Sequence, residues 1–306
     1  MVSPERKRAA VRHLQAAGMC SERRACALVG LSRSSLSYKP RVRADESALR
    51  AEIRELAQKK RRYGYRRIWW ELRQLGWFVN YKRVYRLWRM EGLCLPRKRP
   101  RRRRRGPVGA VVQCATHANH VWTYDFLKDS TERGGGVRIL TVVDEYTREC
   151  LAIEVARSIK ARTVVEVLKW LALTRGTPEY IRSDNGPEFI AHEVGAWLEQ
   201  AGCQTIFITP GSPWENPYIE SFNGKFRDEC LNCEVFMNLA EARTMIEAWR
   251  EEYNTERPHS SLGYLTPDEF ARRSAEGGGE AARCVGSGRA TPSLRPHSGT
   301  ATSLSL

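Results

Sequence analysis

The chain has 306 residues, 42% of them hydrophobic, with 9 Trp and 11 Tyr, so a packed core is within reach and wholesale disorder is excluded. Its 51 Lys+Arg against 35 Asp+Glu leave a formal net charge of +16, spread very unevenly: residues 1–106 carry 31 basic and 8 acidic side chains, net +23, and the other 200 residues are net −7. That asymmetry predicts a polyanion-binding arm joined to a body of different purpose, and no stretch approaches the roughly 18 apolar residues that a membrane span needs.

The basic N-terminal stretch lacks the apolar segment of a signal peptide, and the nine Cys are scattered. Together these predict a cytoplasmic protein with reduced thiols. Residues 4–38 read as short helices, with Ser21 an N-cap and Gly30 a stop. A helix restarting over 31–36 makes a helix-turn-helix pattern; the plainer alternative is a small helical hairpin. A second helical unit follows. One helix is expected over 45–62, with Leu49, Ile53 and Leu56 on one stripe, and another over 66–75, ending at Gly76. Asn80 can cap a third over 81–91, with Val84, Leu87 and Trp88 facing in. Lys82, Arg83, Arg86 and Arg89 are then left on outer faces, as a solvated basic surface or as phosphate contacts.

Residues 97–105 form a basic run containing Arg101, Arg102 and Arg103, closed by Gly106-Pro107. No core can be built from it. It reads as a linker or arm whose physical use is neutralising DNA phosphates, with strongly salt-dependent binding.

From His120 the texture changes to strands alternating with helices. Strands are expected over 121–127, 138–147, 150–155, 179–183 and 205–209, and helices over 163–173, 188–200, 216–231 and 239–253. Three consecutive strands followed by α-β-α-β-α predict an α/β domain, a mixed five-stranded sheet with helices on both faces. Residues 276–306, rich in Gly, Ser and Thr, read as a disordered tail. The expected division is therefore an N-terminal helix-turn-helix-like segment (1–43), a second helical DNA-binding unit (44–95), a polybasic linker (96–118), an α/β catalytic core (119–275) and the tail (276–306).

Three acids in the core fit a structural role poorly. Asp125 lies in the apolar run Val-Trp-Thr-Tyr-Asp-Phe-Leu, where an unpaired carboxylate is costly, so it must be paired, hydrogen-bonded or metal-bound. Asp184 ends a strand, where sites in α/β sheets are usually built, although a turn or cap Asp is the simpler account. Glu220 falls on a helix whose Trp214, Tyr218, Phe222 and Phe226 form an apolar stripe, while Asn216, Glu220, Asn223 and Arg227 share a different, polar face. A surface salt-bridge face is the alternative there. Converging carboxylates hold Mg²⁺ through oxygen ligands, and two ions roughly 3.5–4 Å apart serve in-line phosphoryl transfer. Lys225 and Arg227 can then hold the DNA backbone beside them.

Asp125, Asp184 and Glu220, with 58 and 35 residues between them, resemble the D-D-35-E triad of retroviral-type integrases and transposases. Arg227, seven residues after Glu220, matches a basic residue often found there. The flanking runs sharpen the likeness: Tyr-Gly-Tyr-Arg-Arg-Ile at 63–68, Lys-Arg-Val-Tyr-Arg-Leu at 82–87, Leu-Thr-Val-Val-Asp at 140–144, Ser-Asp-Asn-Gly-Pro-Glu-Phe at 183–189, Tyr-Ile-Glu-Ser-Phe-Asn-Gly at 218–224 and Arg-Pro-His-Ser-Ser-Leu-Gly-Tyr at 257–264. Over roughly residues 5–272 the chain resembles the OrfB transposases of the insertion-sequence-three family. The resemblance implies an RNase H-like core and catalysis by Asp125, Asp184 and Glu220 as ligands of Mg²⁺ or Mn²⁺, two ions per site. It implies hydrolysis and strand transfer of DNA ends, and DNA contacts that include Asn223, Lys225 and Arg227. It further implies binding to terminal inverted repeats and target DNA, a homo-multimer on DNA, an upstream-frame (OrfA) partner or frameshift fusion, no membrane, and a nucleoid-associated protein of the bacterial cytoplasm. Tyr124 departs from the family pattern, which leads one to expect a smaller or thioether side chain before the first Asp.

Several residues imitate a site. Asp144 is better explained by Arg148 or a turn, and Glu188 is at most an auxiliary acid. His117 and His120 with Cys230 and Cys233 contain zinc-type ligands, but their order and spacing fit no compact zinc module. His259 reads as a loop-fixing residue. Two other functions remain open at this level: a DNA-binding regulator with a catalytically dead core, and an RNase H or repair nuclease, which would not need the basic N-terminal third.

Overall fold

The computed structural model describes residues 3–38, 43–96, 114–183, 192–208 and 216–277. The basic run with Arg101, Arg102 and Arg103, the residues Asp184, Glu188 and Trp214, and the expected tail from 278 onward lie outside the described residues.

The N-terminal segment forms α1 (Pro4–Ala16), α2 (Glu22–Val29) and α3 (Arg33–Ser37) around Val11, Ala25 and Cys26. Ser21 caps α2 by accepting from Arg24 N, and Gly30 ends it in the left-handed region, at φ 62°. The second unit is α4 (Glu46–Lys59), α5 (Tyr65–Gln74) and α6 (Tyr81–Met90), with the Asn80 side chain accepting from Lys82 N. Its core is Leu49, Ile53, Ile68, Leu72, Val84, Leu87 and Trp88. The inward stripe of α6 is thus the one the apolar spacing predicts. Arg83 differs from its neighbours: its guanidinium folds back onto the start of α4 and grips both Asp45 carboxylate oxygens at 2.7 and 2.8 Å. Arg86, still half exposed, reaches Glu46 at 2.6 Å, while Lys82 and Arg89 face solvent.

The core contains β1 (Val121–Ser130), β2 (Gly136–Asp144), β3 (Cys150–Ala156), α7 (Ala161–Arg175), β4 (Tyr180–Ser183), α8 (His192–Gln200), β5 (Gln204–Phe207), α9 (Pro217–Phe226), α10 (Leu239–Thr255) and α11 (Pro267–Ala275). The sheet order is β3-β2-β1-β4-β5, with β1, β2 and β3 antiparallel and β4 and β5 parallel to β1. Strand alternation sorts the side chains to two faces. Trp122, Tyr124, Leu140 and Val142 pack with Val164, Leu168 and Leu171 of α7 and with Val194 and Leu198 of α8. Leu127, Ile139, Val143 and Val155 pack on the other face with Ile219, Phe222 and Phe226 of α9 and with Ala242, Ile246 and Tyr253 of α10. Tyr124, the departure noted in the sequence, is buried in the first of these layers against Phe126, on the face opposite its neighbour Asp125.

Two boundaries differ instructively from expectation. The α9 helix opens at Pro217, whose missing N–H is harmless in a first turn, and at Phe226 it gives way to one π-helical turn, Arg227–Leu231. Asp228 and Glu229 leave from that wider turn, and they meet the second helical unit. Arg62 pairs with Asp228, Arg67 Nη1 reaches Glu229 at 3.1 Å, and Lys60 is held by Glu252 and Glu256 of α10 at 2.8 Å each. Tyr264 stacks on Trp70 with centroids 5.4 Å apart. Ion pairs and one aromatic stack therefore seat the helical unit on the core.

Phe222 is the keystone of the α9 layer, touching Phe226, Trp249 and Tyr253 at centroid distances of 6.2, 5.8 and 4.9 Å. Phe222→Ala should destabilise the core by about 3–5 kcal/mol, measured by denaturant unfolding followed through tryptophan fluorescence. A change below about 1 kcal/mol would show that this layer does not hold α9 to the sheet.

Candidate active site

The site is built where β1 meets α9. Odd-numbered β1 residues from Thr123 to Leu127 face α9, because side chains alternate along a strand and Trp122 and Tyr124 fill the other layer. The α9 helix answers with Asn216 and Asn223, seven residues or two turns apart. Thr123 Oγ1 donates to Asn216 Oδ1 at 2.8 Å, and Asn223 Nδ2 donates to Asp125 Oδ2 at 2.7 Å. The second Asp125 oxygen accepts from Phe126 N at 2.7 Å.

Thr141 of β2, directly across the ladder from Asp125, donates its hydroxyl to Asn223 Oδ1 at 3.1 Å. This relay fixes the amide orientation of Asn223, since the reverse would aim its carbonyl at a carboxylate. Half-buried Asp125 therefore has its carboxylate oriented by N–H groups from Asn223 and Phe126.

Glu220 sits four residues after Asn216 and three before Asn223, so it shares their side of α9, yet it is exposed where they are buried. Partial burial raises its carboxyl above the usual range. Asp184 lies outside the described residues; the strand leading to it, β4, is the parallel neighbour of β1, with Thr123 paired to Arg182. Of the polar α9 face read from sequence, Glu220 and Arg227 are exposed and Asn216 and Asn223 are buried against the sheet. Asn223 therefore touches Asp125 and Thr141 where a DNA contact was expected. Lys225 is half-buried, with Nζ 3.1 Å from Ser221 Oγ. Burial first, then the charges of Arg257 and Arg67, push its ammonium down to about 7.

Sequence reasoning did not single out Thr141 or Glu229. A lone hydroxyl in the apolar run Leu140-Thr141-Val142-Val143 is a weak signal that could have found Thr141. Glu229 lies within 2.6 Å of both Arg257 Nε and Nη2 and also receives Arg67. Burial pushes its carboxyl up, but the Arg257 hydrogen bond and the two positive charges outweigh that and leave it below the usual range.

The imitators resolve by contact. Asp144 is a turn residue: its Oδ1 accepts from Tyr146 N and Thr147 N, and its Oδ2 from Asn119 N. His117 and His120 stack on each other, with His117 Nε2 2.9 Å from Glu179, remote in the chain from Cys230 and Cys233. Burial pushes the Cys230 thiol up to about 12, against its serving as a thiolate ligand. Among the described residues no group of three or more His, Cys, Asp and Glu is arranged to hold a metal ion. His259 is buried in its loop, where its backbone N–H donates to Leu265 O.

A mixed five-stranded sheet in this order, with an acid on its central strand turned toward a helix that carries another, is the RNase H-like architecture of an integrase catalytic core. Two families described as "Integrase core domain" match residues 115–213 and 201–267, and one described as "HTH-like domain" matches residues 43–101. Among curated proteins, an uncharacterized 31.7 kDa protein of insertion element IS407 from Burkholderia multivorans is 46% identical over 83% of this chain and 91% of its own length. An uncharacterized 39.2 kDa protein of insertion element IS476 from Xanthomonas euvesicatoria is 44% identical over 88% of this chain and 78% of its own. Transposase InsD of insertion element IS2 from Escherichia coli is 29% identical over 73% and 78%. Among solved structures, the catalytic core domain of HTLV-2 integrase in complex with magnesium matches with 15% identity and a TM-score of 0.38, over 51% of this chain and 97% of that one.

The chain belongs to the OrfB-type transposases of the insertion-sequence-three family. DNA transposition and integration are the work of that family, and polynucleotidyl transfer is its chemistry. No described helix is long and apolar enough to cross a membrane.

Asn223→Ala removes an amide bridging two strands and leaves the Thr141 hydroxyl without its amide acceptor. The expected cost is about 1–3 kcal/mol of stability, read by urea unfolding; Asn223→Ala as stable as the parent would show that the relay is not formed in solution.

Proposed function

We propose that the chain cuts and joins DNA at the ends of an insertion element, with Asp125, Asp184 and Glu220 as the catalytic acids and as the ligands of two Mg²⁺ or Mn²⁺ ions. The observation that carries this reading is the half-buried Asp125 carboxylate on the central strand, steered by Asn223 and Phe126 N, with Glu220 on the same side of the covering helix. An all-oxygen donor set of carboxylates suits a hard divalent cation such as Mg²⁺ or Mn²⁺ better than a softer ion that prefers nitrogen and sulfur ligands. When bound, such ions neutralise the reacting phosphate and stabilise the attacking and leaving oxygens of an in-line displacement.

The chain's own groups supply the rest. Asn223 and Thr141 hold the Asp125 carboxylate in one orientation, the outer-shell role that usually tunes metal affinity. Arg227, exposed at the end of α9, and Lys225 take backbone phosphates beside the acids. Water is the nucleophile in the cut, and the freed 3′-hydroxyl is the nucleophile in the join. The basic N-terminal third grips terminal inverted repeats, through the exposed Lys82 and Arg86 of α6 and through Arg101, Arg102 and Arg103. Arg83, tied to Asp45, is a weaker candidate for direct contact. The proposed division into helical units, polybasic linker and core (1–43, 44–95, 96–118, 119–275) follows this split between grip and chemistry. The working form is a homo-multimer on DNA in the bacterial cytoplasm at the nucleoid, alone or joined to an upstream-frame (OrfA) partner.

Asp125→Asn, Asp184→Asn and Glu220→Gln should each lower Mg²⁺-dependent cleavage and joining of element ends by at least about 10²–10³-fold, with binding to the same DNA in EDTA retained. Full activity in any one of them overturns the assignment of that acid. Wild-type protein that binds the ends and never cuts them would instead mark a DNA-binding regulator.

A further inference from the structure

The segment that joins β2 to β3 is unusual for a hairpin connection. Such turns normally run over the surface, yet Asp144, Glu145, Tyr146, Thr147 and Glu149 are all buried and Arg148 is half-buried. None of these residues takes part in the proposed chemistry. The turn is well anchored: Glu145 N donates to Val121 O at 3.0 Å, Arg148 N donates to Asp144 O at 3.0 Å, and the Asp144 carboxylate takes three N–H groups. From this base two charged side chains reach other elements.

Glu145 pairs with Arg182 of β4 at 2.8 Å, the two side chains being 0% and 3% exposed. Because β1 lies between β2 and β4 in the sheet, the pair spans the end of the central strand. Arg182 stands in register with Thr123, the last β1–β4 pair among the described residues. Arg148, held at a positive φ of 65°, lays its guanidinium 3.8 Å from the ring centroid of Tyr218 on α9. The two contacts fall at matching places in the chain. Arg182 is two residues before Asp184, and Tyr218 is two before Glu220.

Stability does not account for these contacts. Burial pushes the Glu145 carboxyl above the usual carboxylate range, although Arg182 and Arg148 pull it down. A carboxyl whose proton affinity rises on folding opposes folding once the pH exceeds its unfolded range. Buried ion pairs can often be replaced by apolar residues of similar volume without loss of stability. Arg148 likewise occupies a left-handed conformation that glycine adopts without strain. What the two contacts supply is direction, from one buried turn to the strand and the helix that lead to two of the proposed acids.

We propose that Glu145 and Arg148 are positioning residues for the metal site: through Arg182 and Tyr218 they fix the end of β4 and the start of α9 against β1, and so set how both elements approach Asp125. The inference rests on the proposed roles of Asp125, Asp184 and Glu220.

Two variants cut the contacts and spare the fold. Glu145→Leu/Arg182→Met replaces the ion pair with apolar side chains, and Arg148→Gly removes a cation from a position suited to glycine. With the full chain, free Mn²⁺ is followed by electron paramagnetic resonance during titration, and Mg²⁺-dependent cleavage of element ends is timed in single turnover. Both variants should unfold at wild-type urea concentrations or higher, yet bind Mn²⁺ about 10–100-fold more weakly, the usual effect of disturbing the groups behind metal ligands. Cleavage should slow and need more Mg²⁺, with DNA affinity in EDTA unchanged. Arg148→Lys, which keeps a cation for Tyr218, should recover most of the Mn²⁺ affinity.

Stable variants that bind Mn²⁺ as wild type does, while Asp125→Asn does not bind it, overturn the positioning role alone. Weaker binding that merely tracks a loss of stability overturns it too, and marks a structural turn. If Asp125→Asn and Glu220→Gln keep Mn²⁺ binding and cleavage, the metal-site reading itself fails; a wild type that binds no Mn²⁺ overturns both. Should the double variant fail to fold, Arg148→Gly against Arg148→Lys decides the question.

Discussion

Everything at the site depends on how a carboxylate is tolerated on the central strand of a packed sheet. Asp125 can stand there because α9 brings an amide to it, and the amide is itself fixed by the hydroxyl of Thr141 across the ladder. An isolated charge in that position would be strongly unfavourable; one with two N–H donors and a partly open side is not. The same contacts join α9 to β1, since Asn216 meets Thr123 in the same way one strand period away. Polar pairing therefore sets the rotation of α9, and the aromatic layer of Phe222, Phe226, Trp249 and Tyr253 clamps it there. Glu220 is exposed as a consequence, because the residues flanking it on its own face are already committed to the sheet.

Charge has a second organisation that composition hides. The N-terminal third is net +23, but part of that surplus is spent inside the protein. Arg83 and Arg86 brace α6 against the start of α4, and Lys60, Arg62 and Arg67 reach carboxylates of the core. These acids come largely from the π turn after α9 and from α10. The acidic balance of the body thus has two parts, the carboxylates of the proposed site and carboxylates that seat the basic unit. Surface ion pairs of this kind add little stability one by one. Glu229 differs, because it is nearly buried between Arg67 and Arg257, and removing it would strand two guanidinium groups.

Much of this was legible in the residues. The β-rich, largely apolar run 121–127 announced a strand and made Asp125 conspicuous; Ser21, Gly30 and Asn80 marked helix ends by local chemistry that the structure retains. The spacing of Asn216, Glu220 and Asn223 correctly put them on one side of a helix. What the pattern could not say is which of them that side would bury, because this depends on β1, 93 or 98 residues away. The same limit explains Arg83, whose partner is 38 residues upstream, and Glu229, 162 residues from Arg67. Helical periodicity sorts polar from apolar faces; it carries no information on whether a polar side chain will meet water or another polar group. The π turn was illegible for a related reason, since its sequence Arg-Asp-Glu-Cys-Leu suits an ordinary helix. Asp184 was legible as a strand-end acid and lies outside the described residues.

The π turn ties these threads together. A regular continuation of α9 would carry residues 228 and 229 around by about 100° each; the wider turn shifts that phase and places both acids toward α5. Through Asp228 and Glu229, the helix that carries Glu220 is fastened to the unit expected to grip DNA, and the fastening is made by Arg62 and Arg67. Any ligand phosphate that draws on Arg62 or Arg67 competes with Asp228 and Glu229 for them. Phosphate binding at these arginines and the seating of the helical unit would consequently be linked by shared charge, and coupling of this kind is reciprocal: whatever loosens the seat changes the affinity for the phosphate. The helical unit and the core are thus not two modules joined by a linker alone, because Arg62 and Arg67 pair with acids that follow Glu220 by only about two turns.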